Sequence, residues 1–191
     1  MYSGNISVAQ NYVDSAPTTY DFLKPNGFRF IVKDIPQVVY TCQKVTLPSL
    51  DFSAAIHSNP RLDYAVPGEK LNYGDLRISF IVSEDMQNFK EIYNWMLGMA
   101  DHTGGSKFQE LYDARRYKAT SGIDRINKYN VQFSDATLVV LNSNNNPITK
   151  IKFNSIFPIS LSAMNFDSTV SSIQYITCDC VFKYTTFEIE S

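Results

Sequence analysis

At 191 residues the chain is long enough to bury a hydrophobic core as one domain, without disulfide staples. Its 17 basic and 19 acidic side chains leave a net charge of −2, which excludes a global basic field for nucleic acid. No apolar run approaches the roughly 18 to 20 residues of a membrane span, and the polar opening from Met1 to Asn5 lacks the regions of a signal peptide, so a soluble protein folded in a cytoplasm is expected. The 12 Tyr and 13 Phe beside modest charge suit a β-rich protein with extensive contact surfaces.

Residues 1–24, polar and Tyr-rich, read as an arm that orders only against something else, and 25–191 as a single domain. Phe28 to Val32 alternates as a strand, Asp34 to Pro36 supplies a turn, and Val38 to Val45 is predicted to return as its hairpin partner. From Ser49 to Tyr73 neither helical nor strand period survives. A long contact loop over 49–75 is expected, because Leu50, Phe52, Ile56, Leu62, Tyr64 and Val66 are costly to leave in water. Leu76 to Val82 alternates again. Ser83 stands where an N-cap belongs, and Met86, Phe89, Ile92, Tyr93, Trp95, Met96 and Met99 form the apolar stripe of a helix that docks on a sheet.

An insert over 100–133 carries a basic, Tyr-bearing cluster of Arg115, Arg116, Lys118, Arg125 and Lys128, read as a solvated or subunit-contacting surface. The last third reads as a β-meander. Ala136 to Leu141 and Ile148 to Phe153 pair across an Asn-rich turn. Ser172 to Glu188 forms one long strand with Ile176, Cys178, Cys180, Phe182 and Tyr184 on one side and Thr177, Asp179, Val181 and Lys183 on the other. A strand of that length suits a barrel or a sheet continuous between subunits.

Catalytic inventory is thin. His57 and His102 lie in expected loops away from any nucleophile motif, and the Gly-rich run from Asp101 to Lys107 lacks the spacing of a phosphate loop. Cys42, Cys178 and Cys180 make an odd count without a His at ligand spacing, so they read as reduced core thiols rather than a disulfide framework or metal site. No enzyme activity and no cofactor or metal is expected. The rivals from other classes are a small-ligand-binding β-barrel, which needs a deep apolar pocket, and a nucleic-acid module using the basic insert.

Phe28 to Val32, Thr41 to Pro48, Gly68 to Tyr73 before the Leu76 strand, Tyr93-Asn94-Trp95, Asp135 to Val140, Asn146-Pro147, Ile156 to Pro158 and Met164 to Asp167 follow one another in an order and spacing that resembles the tail tube proteins of contractile-tailed bacteriophages. The resemblance covers about residues 25 to 188. It implies a mainly β (α+β) fold: an antiparallel β-sandwich or barrel with one flanking α-helix, shared with the type VI secretion inner tube protein and assembling into hexameric rings. Stacked rings form a conduit for the tape-measure protein and for non-specific passage of DNA. The implied partners are other copies of the chain, the tail sheath protein, the baseplate tube-initiator ring and the tail terminator, with no membrane. The implied location is the virion tail, after assembly in the host cytoplasm. Mapped by segment, the 49–75 loop becomes an inter-ring contact with Phe52, Ile56, Leu62 and Tyr64 as anchors. Asp179 is placed on the lumen side, and Arg115, Arg116 and Lys118 at a sheath or subunit contact. Whether the chain is the repeating tube subunit or a tube-like baseplate ring stays open at this point.

Overall fold

Two long antiparallel pairings, each bent at the same place, organise the chain. The computed structural model describes residues 22–100, 105–118, 132–169 and 174–190, with side chains throughout except at 114–118. Its strands are β1 (Phe28–Val32), β2 (Cys42–Thr46), β3 (Leu50–Asn59), β4 (Leu62–Tyr73), β5 (Leu76–Ile81), β6 (Ser134–Leu141), β7 (Pro147–Leu161), β8 (Thr177–Lys183) and β9 (Thr186–Glu190). The helices are α1 (Pro36–Thr41), α2 (Gln87–Met99) and α3 (Ser106–Lys118). One sheet runs β1-β6-β7-β8-β5-β2 with β9 also on β7, while β3 and β4 form a separate two-stranded sheet. The fold is therefore the expected mainly β, antiparallel one.

β7 serves two half-sheets. Its first half lies between β6 and β9, and its second half pairs with β8. At the passage, Asp135 alone faces Asn154 and Ser155, and Ser155 takes a left-handed φ of 54°. This extra residue is a β-bulge, which bends the strand. The Ser155 N–H donates to Asp135 Oδ1 at 3.2 Å, holding the bend. Opposite it the chain breaks between β8 and β9, and the Thr185 N–H donates to the Asn154 carbonyl at 3.0 Å. The strand expected to run unbroken to Glu188 is thus two strands turning one corner with β7, and Ser172 lies outside the described residues.

The bend folds two apolar surfaces together. One half-sheet contributes the rows Phe30-Leu138-Ile151 and Val32-Ala136-Phe153, the other Leu76-Phe182, Ile78-Cys180 and Phe80-Cys178, all buried. Ile92 and Trp95 of α2 are buried with them. The Trp95 ring lies 6.1 Å from that of Phe182, and its Nε1–H donates to the Gln132 carbonyl at 2.9 Å. The period-two prediction for β5 and β8 holds side chain by side chain. α3 belongs to the insert and packs on α2 where Gly98 leaves room: a Cβ there would meet Leu111 Cδ2 at 2.8 Å.

Three local expectations are corrected. Val38 to Val45 is not the hairpin partner of β1. Pro36 starts α1, since its fixed φ and missing N–H suit a first helical turn, and the following β2 pairs with β5 while β1 pairs with β6. The 49–73 stretch is a hairpin, β3–β4, rather than an irregular loop. Ser83 does not cap α2. Its N–H and hydroxyl both donate to Asn88 Oδ1, at 3.2 and 3.1 Å; the N-cap position falls to Met86, whose φ is 56°, and Asp85 Oδ1 just before it accepts the Gln87 N–H at 3.1 Å. The Gln87 N–H holds the Asp85 carboxyl below its usual range.

Asn88 is fully buried, and its amide also donates to Ile81 O at 2.7 Å and to Thr41 Oγ1 at 3.1 Å. One side chain therefore ties α2 to the end of β5 and to α1. Asn88→Ala strands these half-buried partners and is expected to lower the unfolding free energy by about 1–3 kcal/mol in denaturant titration, with Ser83→Ala costing less because the Ser83 N–H remains. Burial also raises the thiols of Cys178 and Cys180, and that of Cys42 to about 11. At pH 8 all three are neutral, so a thiol reagent should react slowly with the native protein and with three thiols after denaturation. A rapid native reaction at any of them would contradict this packing.

Candidate assembly surfaces

The β3–β4 hairpin leaves the body as a ribbon turning at Pro60-Arg61. Its register sets Leu50 opposite Tyr73, Phe52 opposite Leu71, Ile56 opposite Ala65 and His57 opposite Tyr64, with the irregularity between Phe52 and Ala54. There the Lys70 N–H donates to Ser53 Oγ at 3.1 Å. The four sequence-predicted anchors all lie on it and all face solvent in the isolated subunit: Phe52 58%, Ile56 77%, Leu62 68% and Tyr64 43% exposed. The His57 ring stacks on that of Tyr64, with centroids 5.6 Å apart.

The hairpin is anchored at its root by aromatic packing. Tyr73 lies 5.6 Å from Phe187 and 5.9 Å from Tyr184, and Tyr184 lies 5.2 Å from Phe153, so the ribbon joins the core at the corner where β8 gives way to β9. At Gly74 a Cβ would meet Ser49 Oγ at 2.7 Å, which permits the close approach that closes the hairpin base.

A second surface is the outward face of β2, β5, β8 and the end of β7. Cross-strand rows place Lys44, Ser79 and Asp179 side by side, then Thr46, Arg77, Val181 and Ser160. Asp179 Oδ1 accepts the Ser79 hydroxyl, and the Asp179 N–H donates to Ser162 Oγ at 2.9 Å. Asp75 at the margin holds Lys183 at 2.5 Å, with Arg77 at 3.9 Å. Asp179 thus stands on the polar-facing side that its alternation predicts. The face mixes charges rather than presenting a purely acidic one.

In the insert, Arg115, Arg116 and Lys118 belong to the C-terminal half of α3, while Arg125, Lys128 and His102 lie outside the described residues. Among the described residues no three His, Cys, Asp or Glu side chains group as metal ligands. A small-ligand barrel would need an open interior. Instead Trp95, Phe30, Phe80, Phe153 and Phe182 fill it, and a cleft of about 230 Å³ beside Phe22, Leu141 and Ile148 sits outside it, at the β6–β7 turn. The position that sequence reasoning missed is Asn88. Its spacing to Ile92, Trp95 and Met99 placed it on the buried face all along.

The Tyr184 hydroxyl is buried without a hydrogen-bond partner among the described residues. Burial, then Tyr73 and Asp75, raise its pKa to about 12 from 10.0. The fold thus favours the neutral phenol, and this contribution is intact below pH 10 and lost as pH rises toward 12. Tyr184→Phe is expected to match or exceed the parent's stability at pH 7 and to flatten the alkaline loss, as measured by denaturant titration across that range.

Comparison with known proteins agrees with this architecture. Over 124 residues the chain is 25% identical to the tail tube terminator protein of Enterobacteria phage T4, a match covering 65% of this chain and 60% of that protein. The chain thus spans under two thirds of the length of that relative. Among solved structures it is similar to the tube-terminating cap of the anti-feeding prophage, at TM-score 0.59 and 12% identity over 94% of this chain and 97% of that one. It is also similar to a chain of the sheath–tube complex of the extracellular contractile injection system PVC, at TM-score 0.52 and 12% identity over 98% and 99%. The family model described as phage tail tube protein matches residues 7–190, and the chain belongs to that family.

Proposed function

We propose that the chain is a non-enzymatic, ring-forming subunit of a contractile tail tube. Six copies close a ring through free sheet edges, and rings stack through the β3–β4 hairpin into a conduit for the tape-measure protein and DNA. The observation that carries this reading is the hairpin itself: a two-stranded ribbon, outside the main sheet, with apolar side chains exposed along it. Such a ribbon is marginal alone in water. Covering each of its large apolar side chains contributes roughly 1 kcal/mol or more.

Edge pairing fits the same account. β1, β2 and β9 end the half-sheets, and an unpaired edge is a template for another strand. A heterologous pairing that closes by rotation yields a ring. The outward face bearing Asp179 then lines the channel. Its mixed charges and Ser and Thr side chains suit passage, because a cationic lining would hold phosphate. Arg115, Arg116 and Lys118 are assigned to the outside, at a sheath or subunit contact. The completed tube resides in the virion tail, assembled in the host cytoplasm.

One observation favours a ring that ends the tube: the T4 relative is a tail tube terminator. A terminator would cap a tube without propagating it. Electron microscopy of the purified protein separates the two, since a repeating subunit gives long hollow tubes and a cap gives single rings that bind tube ends. Replacing residues 54–67 by a short turn should leave a cooperatively folded subunit that no longer stacks. A folded deletion variant that still builds long tubes would remove the hairpin from the account, and a parent protein that stays monomeric at high concentration, with and without tube ends, would remove the ring.

A further inference from the structure

The register of the hairpin divides its four anchors into two sets that no single flat surface can cover. Cross-strand partners share a face and successive residues alternate. Phe52 and Ile56 therefore stand on one face, and Tyr64 and Leu62 on the other. Near the body only the first face is apolar, with Leu50, Phe52 and Leu71, whereas the opposite face carries Asp51, Asn72 and Lys70. Beyond the irregularity at Ser53 both faces carry large apolar side chains, with Ser58 and Asp63 toward the tip of the first and His57 and Asn59 on the second. Ala54, Ile56 and Pro67 stand on the first, and Val66, Tyr64 and Leu62 on the second.

A ribbon two strands wide has no interior, so neither distal face can be buried by the hairpin's own residues. Burying both requires a neighbour on each side. We propose that the distal half of the hairpin is held between two different copies of this chain, with Ile56 against one and Tyr64 against the other. This rests on the reading of the hairpin as an assembly contact and goes beyond it in the number and identity of the partners.

The chain itself supplies a seat for an apolar ribbon. The core row Phe30-Leu138-Ile151 continues across β9 to Ile189, which is 62% exposed at an open edge. The row is unfinished, and a ribbon face from another copy completes it. The root of the hairpin is continuous with this surface through the Tyr73–Phe187 contact at 5.6 Å. Charge argues the same way. At neutral pH the distal half carries one acidic side chain, Asp63, and one basic one, Arg61, beside His57, a balance that offers nothing to select an oppositely charged foreign partner.

The test places a photo-crosslinking phenylalanine analogue at Ile56, at Tyr64, or at both, in full-length protein diluted into a large excess of unmodified copies before assembly. Each single variant is expected to give a two-chain product, with the two positions linked to different peptides of the neighbour. The double variant is expected to give a three-chain product. If the double variant stops at two chains, with both attachments on one copy, the two-neighbour arrangement is overturned while the hairpin remains an assembly contact. If tubes or rings form and neither position crosslinks, the hairpin is no assembly contact, and both readings fall. Ala54 and Leu62, on the same two faces, serve in place of Ile56 and Tyr64 should either probe impair assembly.

Discussion

Everything in this molecule depends on one shared bend, where β7 and the β8–β9 pair turn together. A flat sheet of these strands would leave its apolar side open to water. The bulge opposite Asp135 removes that problem by folding one half-sheet onto the other, and the left-handed Ser155 gives the extra residue a place to go. The cost of a non-glycine residue in that conformation is small beside the burial it permits, since five of the largest side chains close on one another across the fold. Helix α2 then caps the enclosed space, held by the Asn88 amide at one end and the Trp95 indole near the other.

The same bend creates the surfaces that the subunit cannot satisfy alone. It carries Tyr73, Tyr184, Phe153 and Phe187 into one cluster, and from that cluster the β3–β4 ribbon projects. Among the described residues it also leaves β9 as an open edge, whose inner row ends at an exposed Ile189. A monomer optimised for solution would cover such features with charge or a loop. Here Phe52, Ile56, Leu62 and Tyr64 are exposed on the hairpin, and Ile189 is exposed between Glu188 and Glu190. Exposed apolar side chains of this kind fit the assembly proposed above, and the chain belongs to the phage tail tube protein family.

Legibility in the sequence followed the range of the interactions. Strands whose faces differ in polarity, such as Leu76 to Ile81 and Thr177 to Lys183, could be assigned residue by residue because alternation is local. The pairing of β1 was misread because nothing near Phe28 to Val32 signals that its partner lies about a hundred residues away at β6. Pro36 could have warned that a helix, rather than a returning strand, came next. The hairpin was misread as a loop because both of its faces carry apolar residues beyond Ser53, which erases the alternation that marks a strand. That erased period was itself the signal of a ribbon with apolar residues on two sides. Asn88 was invisible to a search for apolar stripes, since its burial is satisfied by hydrogen bonds rather than by hydrophobicity.

In the assembly proposed above, the hairpin is incomplete in the lone subunit and completed by its neighbours. Hydrogen exchange of the backbone amides measures this directly. In the unassembled protein the amides of β3 and β4 should exchange far faster than those of β5 and β8, and in assembled rings or tubes they should become protected to a comparable degree. Hairpin amides equally protected before and after assembly would contradict the account, because the ribbon would then be stable without any neighbour.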